Sequence, residues 1–156
     1  IDRSRDVPPR ERLKPDAQGV LGAYRRGQRV FTEMDISSLD LSKAQLPGIV
    51  LSNANCANIN FRSANLAEGK FDRANLSNAK FKQAIVSKGY FYGANLQNAD
   101  LSRADLSGAD LLEANLNDAN LCGANLKGAK VAEAQINQAK TNIMTIFPNG
   151  KRGGLL

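Results

Sequence analysis

Every fifth residue from Phe31 to Ile136 is apolar, and the register never slips. The series opens Phe31, Ile36, Leu41, Leu46 and closes Leu121, Leu126, Val131, Ile136, twenty-two positions in all. A period of five belongs to neither regular secondary structure. Around an α-helix, five steps of about 100° move the apolar stripe by about 140° each time, so it would smear over the whole surface. Along a strand, odd spacing sends successive apolar residues to opposite faces. One side chain per repeat stays inward only if the chain turns a corner in every repeat. Self-similarity at a fixed short period marks a solenoid.

The units read Ala94-Asn95-Leu96-Gln97-Asn98, Ala99-Asp100-Leu101-Ser102-Arg103 and Ala104-Asp105-Leu106-Ser107-Gly108. A small residue, usually Ala, stands two positions before most inward residues from Ala44 onward, Ile49 and Ile59 being the exceptions, and Asn or Asp often stands one position before it. In this A(D/N)LXX pattern the chain resembles the pentapeptide-repeat family, with a cyanobacterial style in the Ala23-Tyr24 and Gly27 lead-in. Units such as Leu39-Asp40-Leu41, Ile49-Val50-Leu51 and Gly89-Tyr90-Phe91 diverge but keep the inward residue.

The resemblance implies an all-β fold, a right-handed quadrilateral parallel β-helix with four repeats per coil. Residue n then stacks on n+20. One interior column is Phe31, Leu51, Phe71, Phe91, Leu111 and Val131; another is Leu41, Phe61, Phe81, Leu101 and Leu121. Phe71 is expected on Phe91, and Phe61 on Phe81. At 4.7–4.9 Å per coil, five and a half coils make a rod about 26 Å long. The Ala positions leave little room beside each large residue. Replacing Ala104 or Ala109 with Leu is expected to overpack the interior at about 1–3 kcal/mol. Asn and Asp before each Leu suit the corners, because their side chains bond local backbone.

Four segments follow. Residues 1–14 read as a flexible basic tail with Pro8-Pro9 and no periodicity. Residues 15–28 read as a capping helix. Asp16 is its N-cap, Val20, Leu21 and Tyr24 share one face, and Gly27 is the stop. The first coil of a solenoid needs such a cap over its exposed interior. Residues 29–140 carry the repeats. Residues 141–156 read as a C-terminal cap and frayed tail, in which Thr141 breaks the register and Ile146 returns to phase. Ile143, Met144, Ile146 and Phe147 are expected to cover the last coil, Pro148-Asn149-Gly150 to turn, and Lys151 onward to fray.

The net charge of +6 is confined to the flanks. Residues 30–140 hold eleven Lys/Arg and eleven Asp/Glu, whereas residues 1–29 hold eight against four. Along the rod, Lys70, Arg73, Lys80, Lys82 and Lys88 make a basic middle, and Asp100, Asp105, Asp110, Glu113 and Asp118 an acidic later part. Lys80 stacks beside Asp100, so part of this is read as pairing between coils. No apolar run nears the roughly 18 residues of a membrane span, and no signal-peptide core is present. The chain starts at Ile1, which is read as processing or as part of a longer protein. Cys56 sits in the inward register and Cys122 outside it, so a disulfide between them is not expected. Two such thiols favour a reducing compartment, with the cytoplasm first.

The chain lacks His, the commonest general base and metal ligand. It carries no dinucleotide or P-loop fingerprint. Asp100, Asp105 and Asp110 recur on three different corners and do not converge. No catalysis, cofactor, metal or small-molecule substrate is expected. On the surface, Tyr90 and Tyr92 flank inward Phe91, and Tyr92 neighbours Leu112 one coil later. Tyr90, Tyr92 and Leu112 form the candidate partner surface, the alternative being a cross-coil packing pair that shields backbone.

Three functions compete. The first is a protein-interaction or regulatory scaffold with an unidentified protein partner, monomeric or joined end to end. The second is a nucleic-acid or membrane-surface binder acting through basic tails. The third is a topoisomerase-binding DNA mimic, as the family's quinolone-resistance members imply. A DNA mimic needs a strongly negative rod, which this neutral body lacks.

Overall fold

The computed structural model describes residues 14–153. The expected 1–14 tail therefore lies outside the described residues except for Lys14, as do Gly154, Leu155 and Leu156 of the expected C-terminal tail.

Helix α1 spans Ala17–Arg25. Asp16 caps it by accepting the Gly19 amide at 2.7 Å, which satisfies one of the first-turn donors that a helix leaves open. At the other end the Gly27 amide donates to the Tyr24 carbonyl and the Gln28 amide to the Ala23 carbonyl, both at 3.0 Å. Gly27 has a φ of 100°. That pair of bonds around a left-handed Gly is the Schellman stop. Val20 of α1 is buried, and Ala17, Leu21, Ala23 and Tyr24 pack on the core. The Tyr24 hydroxyl donates to the Pro47 carbonyl at 2.6 Å, and Arg29 stacks on the Tyr24 ring at 3.8 Å. Lys14 binds Ser37 through its carbonyl and hydroxyl. The helix is thus fastened across the first coil.

From Val30 the chain repeats one unit. The inward residue starts a turn closed by the amide three positions on, as Ala54 to Leu51 and Ala74 to Phe71, both at 3.0 Å. The third residue of every turn from Glu33 to Gly128 has a positive φ, between 53° and 72°, the feature that a type II turn requires. The residue before each inward position pairs in parallel with its counterpart twenty residues on, from Val30↔Val50 through Asp110↔Lys130 without a gap. Four turns therefore complete one coil. The pairings are single-residue bridges, because the next corner arrives before a longer strand can form. Asn or Asp at the bridge position accepts the amide two residues later, as in Asn75 to Ser77 at 3.1 Å and Asp105 to Ser107 at 3.0 Å.

Inside, all twenty register positions from Phe31 to Leu126 are buried. Phe71 stacks on Phe91 with centroids 4.9 Å apart and planes 8° apart, and Phe61 lies 5.4 Å from Phe81. Edge contacts at 6.1–6.2 Å join the two pairs across the axis. Leu76 and Leu96 are vertical neighbours, since Leu76 donates to the Asn95 carbonyl. Each of these leucines contributes about 1.5–3 kcal/mol by leaving water.

The structure corrects the reading of 131–156 in three places. First, helix α2, Glu133–Asn137, replaces two repeat units. Val131 and Ile136 are consequently half-buried rather than inward core residues. Second, Asn125 pairs with Ile146 instead of residue 145. One extra residue has entered the last coil, so Ile146 takes the bridge position and Phe147 the place above Leu126. Thr145 is the buried residue here, donating its hydroxyl to the Leu121 carbonyl at 2.8 Å. Ile143 and Met144 are 71% and 51% exposed and do not cover the coil. Third, Lys151–Gly153 do not fray. The expected turn closes by Gly150 donating to the Phe147 carbonyl at 2.8 Å. The chain then returns antiparallel, Ile146↔Arg152. That hairpin covers the open edge of the last coil at Ile146, which would otherwise be a template for another chain.

Candidate functional site

The interior leaves no room for chemistry, so function must lie on the walls or ends. Along each wall the bridge residues are mostly Asn, Asp and Lys, while the small inward Ala keeps the backbone close to the axis. Phe91 interrupts this. Its ring fills the interior so fully that a Cβ on Gly89 would meet Phe91 Cε2 at 2.8 Å and the Val86 carbonyl oxygen at 2.9 Å. Tyr90 and Tyr92 on either side must then point out. They are 46% and 41% exposed, and Leu112 is 40% exposed.

The ladder sets their neighbours. Lys70, Tyr90 and Asp110 form one vertical column. Arg73 donates its amide to the Tyr92 carbonyl at 2.9 Å, and Gly93 to the Leu112 carbonyl at 3.0 Å, so Tyr92 and Leu112 sit on adjacent coils. Lys70 Nζ stands 5.9 Å from the Tyr90 ring centroid and Arg73 Cζ 5.7 Å from that of Tyr92. Each ring is met by a cation from the preceding coil. Such exposed contacts contribute about 0.5–1 kcal/mol. Sequence reasoning named both tyrosines and missed these cations; stacking n on n+20 could have found Lys70, while Arg73 needed the corner geometry.

The expected pairing of Lys80 with Asp100 does not form an ion pair, although the two residues are bridged. Asp100 Oδ1 instead accepts the Ser102 amide at 3.0 Å and hydroxyl at 2.6 Å. The local turn outcompetes the neighbouring lysine because its donors are already in place. Among the described residues the only ion pair is Lys14–Asp35 at 3.9 Å. The hydroxyl and amide of Ser37 hold the Asp35 carboxyl below the usual range. Asp100, Asp105 and Asp110 each serve their own turn. Among the described residues no cluster of His, Cys, Asp or Glu could hold a metal, and no helix is long and apolar enough to cross a membrane. Cys56 is buried and Cys122 half-exposed, both as free thiols. Burial pushes the Cys56 thiol up to about 12, with the Asp35 charge adding to it.

The two ends carry open grooves. One of about 550 Å³ lies against α1, lined by Tyr24, Arg25, Arg29, Asp40 and Lys43 among others. The other, about 930 Å³, lies between α2 and the C-terminal hairpin, lined by Val131, Ile136, Ile143, Phe147 and Arg152 among others.

Comparison with known proteins matches residues 44–83, 90–128 and 108–140 to the family described as Pentapeptide repeats, in eight copies. No curated protein matches the chain. Among solved structures it is similar to a pentapeptide repeat protein, Rfr23, of the cyanobacterium Cyanothece 51142. That match has 23% identity, covers 80% of this chain and 95% of the other, and has a TM-score of 0.41. It is similar to HetL, a pentapeptide repeat protein involved in heterocyst differentiation regulation, from the cyanobacterium Nostoc sp. strain PCC 7120. Identity is 20%, coverage 89% and 100%, and the TM-score 0.27. A pentapeptide repeat protein of the Arabidopsis thaliana thylakoid lumen gives 26% identity, coverage of 85% and 70%, and a TM-score of 0.31.

Proposed function

Because the chain belongs to the pentapeptide-repeat family, we propose that it is a non-catalytic protein-interaction or regulatory scaffold, built on a right-handed quadrilateral β-helix. The rod holds its walls rigid while outward residues vary without cost to the core. The observation that carries the reading is the exposed group Tyr90, Tyr92 and Leu112 on one wall. Aromatic residues give large, stiff contact area, and interfaces are enriched in them. Its partner is a protein surface; no substrate, cofactor or metal enters the reading.

An affinity pull-down tests it, comparing the native chain with a Tyr92→Ser, Leu112→Ser variant. Loss of the captured proteins in the variant supports the wall as the partner surface. Recovery of the same proteins by both chains leaves the group as a cross-coil packing pair. A chain lacking residues 1–13 separates tail from wall. It keeps Lys14 and therefore the attachment of α1 to Ser37. Wall-driven binding survives that deletion, whereas tail-driven binding to nucleic acid or anionic lipid disappears with it and with rising salt.

A further inference from the structure

The wall bearing the tyrosines has an order of charge that a uniform partner patch does not need. One coil before the tyrosine row lie Lys70 and Arg73, both exposed. One coil after it lie half-buried Asp110 and exposed Glu113. Lys70, Tyr90 and Asp110 share a column; Arg73, Gly93 and Glu113 are the corresponding corner positions, twenty residues apart. With one coil per 4.7–4.9 Å, the basic and acidic rows stand at equal heights, about 5 Å either side of the tyrosines. None of these four charges has an ion-pair partner among the described residues. Asp72 stands between Lys70 and Arg73, leaving the first row at a net charge of about +1 against about −2 for the second.

A surface ordered basic, aromatic, acidic is complementary to itself when turned end for end. We propose that this wall pairs with the same wall of a second copy of the chain, the two rods antiparallel about a two-fold axis at the level of Tyr90 and Tyr92. In that pairing Lys70 faces Asp110 of the other copy and Arg73 faces its Glu113, each pair made twice. The tyrosine rows meet at the axis, the arrangement of a closed, isologous dimer. Lys88, exposed in the same row, faces Lys88 of the other copy, a like-charge contact at the level of the axis that weakens the pairing. The proposal rests on the reading of this wall as a partner surface and makes that partner a second copy. A wall about 26 Å tall buries less than about 1,200 Å², so the dimer is a weak, salt-sensitive one.

Sedimentation velocity at up to about 0.5 mM protein and low salt tests it. The native chain is expected to dimerise and to dissociate as salt rises. Lys70→Glu with Arg73→Glu sets like charges opposite Asp110 and Glu113, and Asp110→Lys with Glu113→Lys does the reverse. Each variant alone is expected to weaken association at least about tenfold. Mixing the two restores a heterodimer, since all four pairs made by positions 70 with 110 and 73 with 113 are then opposite in sign. Circular dichroism and cooperative melting establish that both variants fold. A native chain that stays monomeric at every concentration overturns the proposal, as does a dimer that neither variant weakens or that mixing fails to restore. A monomeric rod whose pull-down is still abolished by Tyr92→Ser and Leu112→Ser overturns self-pairing alone and leaves the wall as a surface for another protein.

Discussion

At the scale of the residue, two inward positions show how tightly the interior is filled. Gly69 and Gly89 stand where most other units carry Ala, and an added Cβ on either meets the ring two residues later at 2.8 Å. Phe71 and Phe91 are stacked on one another, so neither ring can yield alone. Gly89→Ala is expected to destabilise the rod by about 1–3 kcal/mol, and Ala94→Gly by about 1 kcal/mol or less through backbone entropy; urea denaturation with an unchanged m-value checks both. Cys56 is a further inward position. Its thiol is raised from 9.0 to about 12 in the folded chain, so below about 9 it adds nothing to the pH dependence. As pH rises from 9.0 toward about 12, the unfolded chain ionises first and stability falls, by about 1.4 kcal/mol per unit. A Cys56→Ala chain lacks that contribution to the alkaline slope. In the native chain at neutral pH, a thiol reagent is expected to titrate Cys122 alone, and both cysteines after unfolding.

At the scale of the element, what was legible depended on whether local geometry obeyed the repeat. The start and stop of α1 could be read from Asp16 and Gly27, because capping chemistry is local. The coils from Phe31 to Leu126 could be read because the apolar residue recurs every five positions and most units carry an Asn, Asp or Gly at the bridge or corner. Helix α2 could not. Ala134-Gln135-Ile136 imitates the repeat, and only the run of helix formers Ala132, Glu133, Ala134 and Gln135 hinted otherwise. What makes α2 tolerable is one side chain. Gln135 Nε2 donates to the carbonyls of Leu111 at 2.7 Å and Ala114 at 2.9 Å, while its Oε1 accepts the Ala132 amide at 2.8 Å. In the preceding coils a bridge-position backbone amide meets the equivalent of the Ala114 carbonyl, as Asn95 meets Ala74. The side chain therefore replaces its own backbone in the ladder. Gln135→Ala leaves two carbonyls unmet and is expected to cost about 1–3 kcal/mol. Hydrogen exchange is expected to quicken in residues 115–146 while residues 50–90 hold their protection, because solenoid stability is local to neighbouring repeats.

At the scale of the whole molecule, the tyrosine wall was visible in the sequence as two outward aromatics beside an inward one. The basic middle and acidic later part were visible too, but the contact of Lys70 and Arg73 with the tyrosine rings emerged only from the coil geometry. The same geometry exposed the false expectation at Lys80 and Asp100, where adjacency in a column does not guarantee an ion pair. The C-terminal slip of one residue lay beyond sequence reasoning, since Ile146 is apolar in either register. The wall, the buried columns and the caps all follow from a coil that closes every twenty residues. Paired cysteines test that closure directly, in a Cys122→Ser background. Asn95 and Asn115 are bridged across one coil, at a separation a disulfide can span. Asn95→Cys with Asn115→Cys is expected to form an intramolecular disulfide under mild oxidation. Asn95→Cys with Asp110→Cys, on different corners, is expected to remain reduced. A disulfide in the second pair and none in the first would contradict the twenty-residue coil.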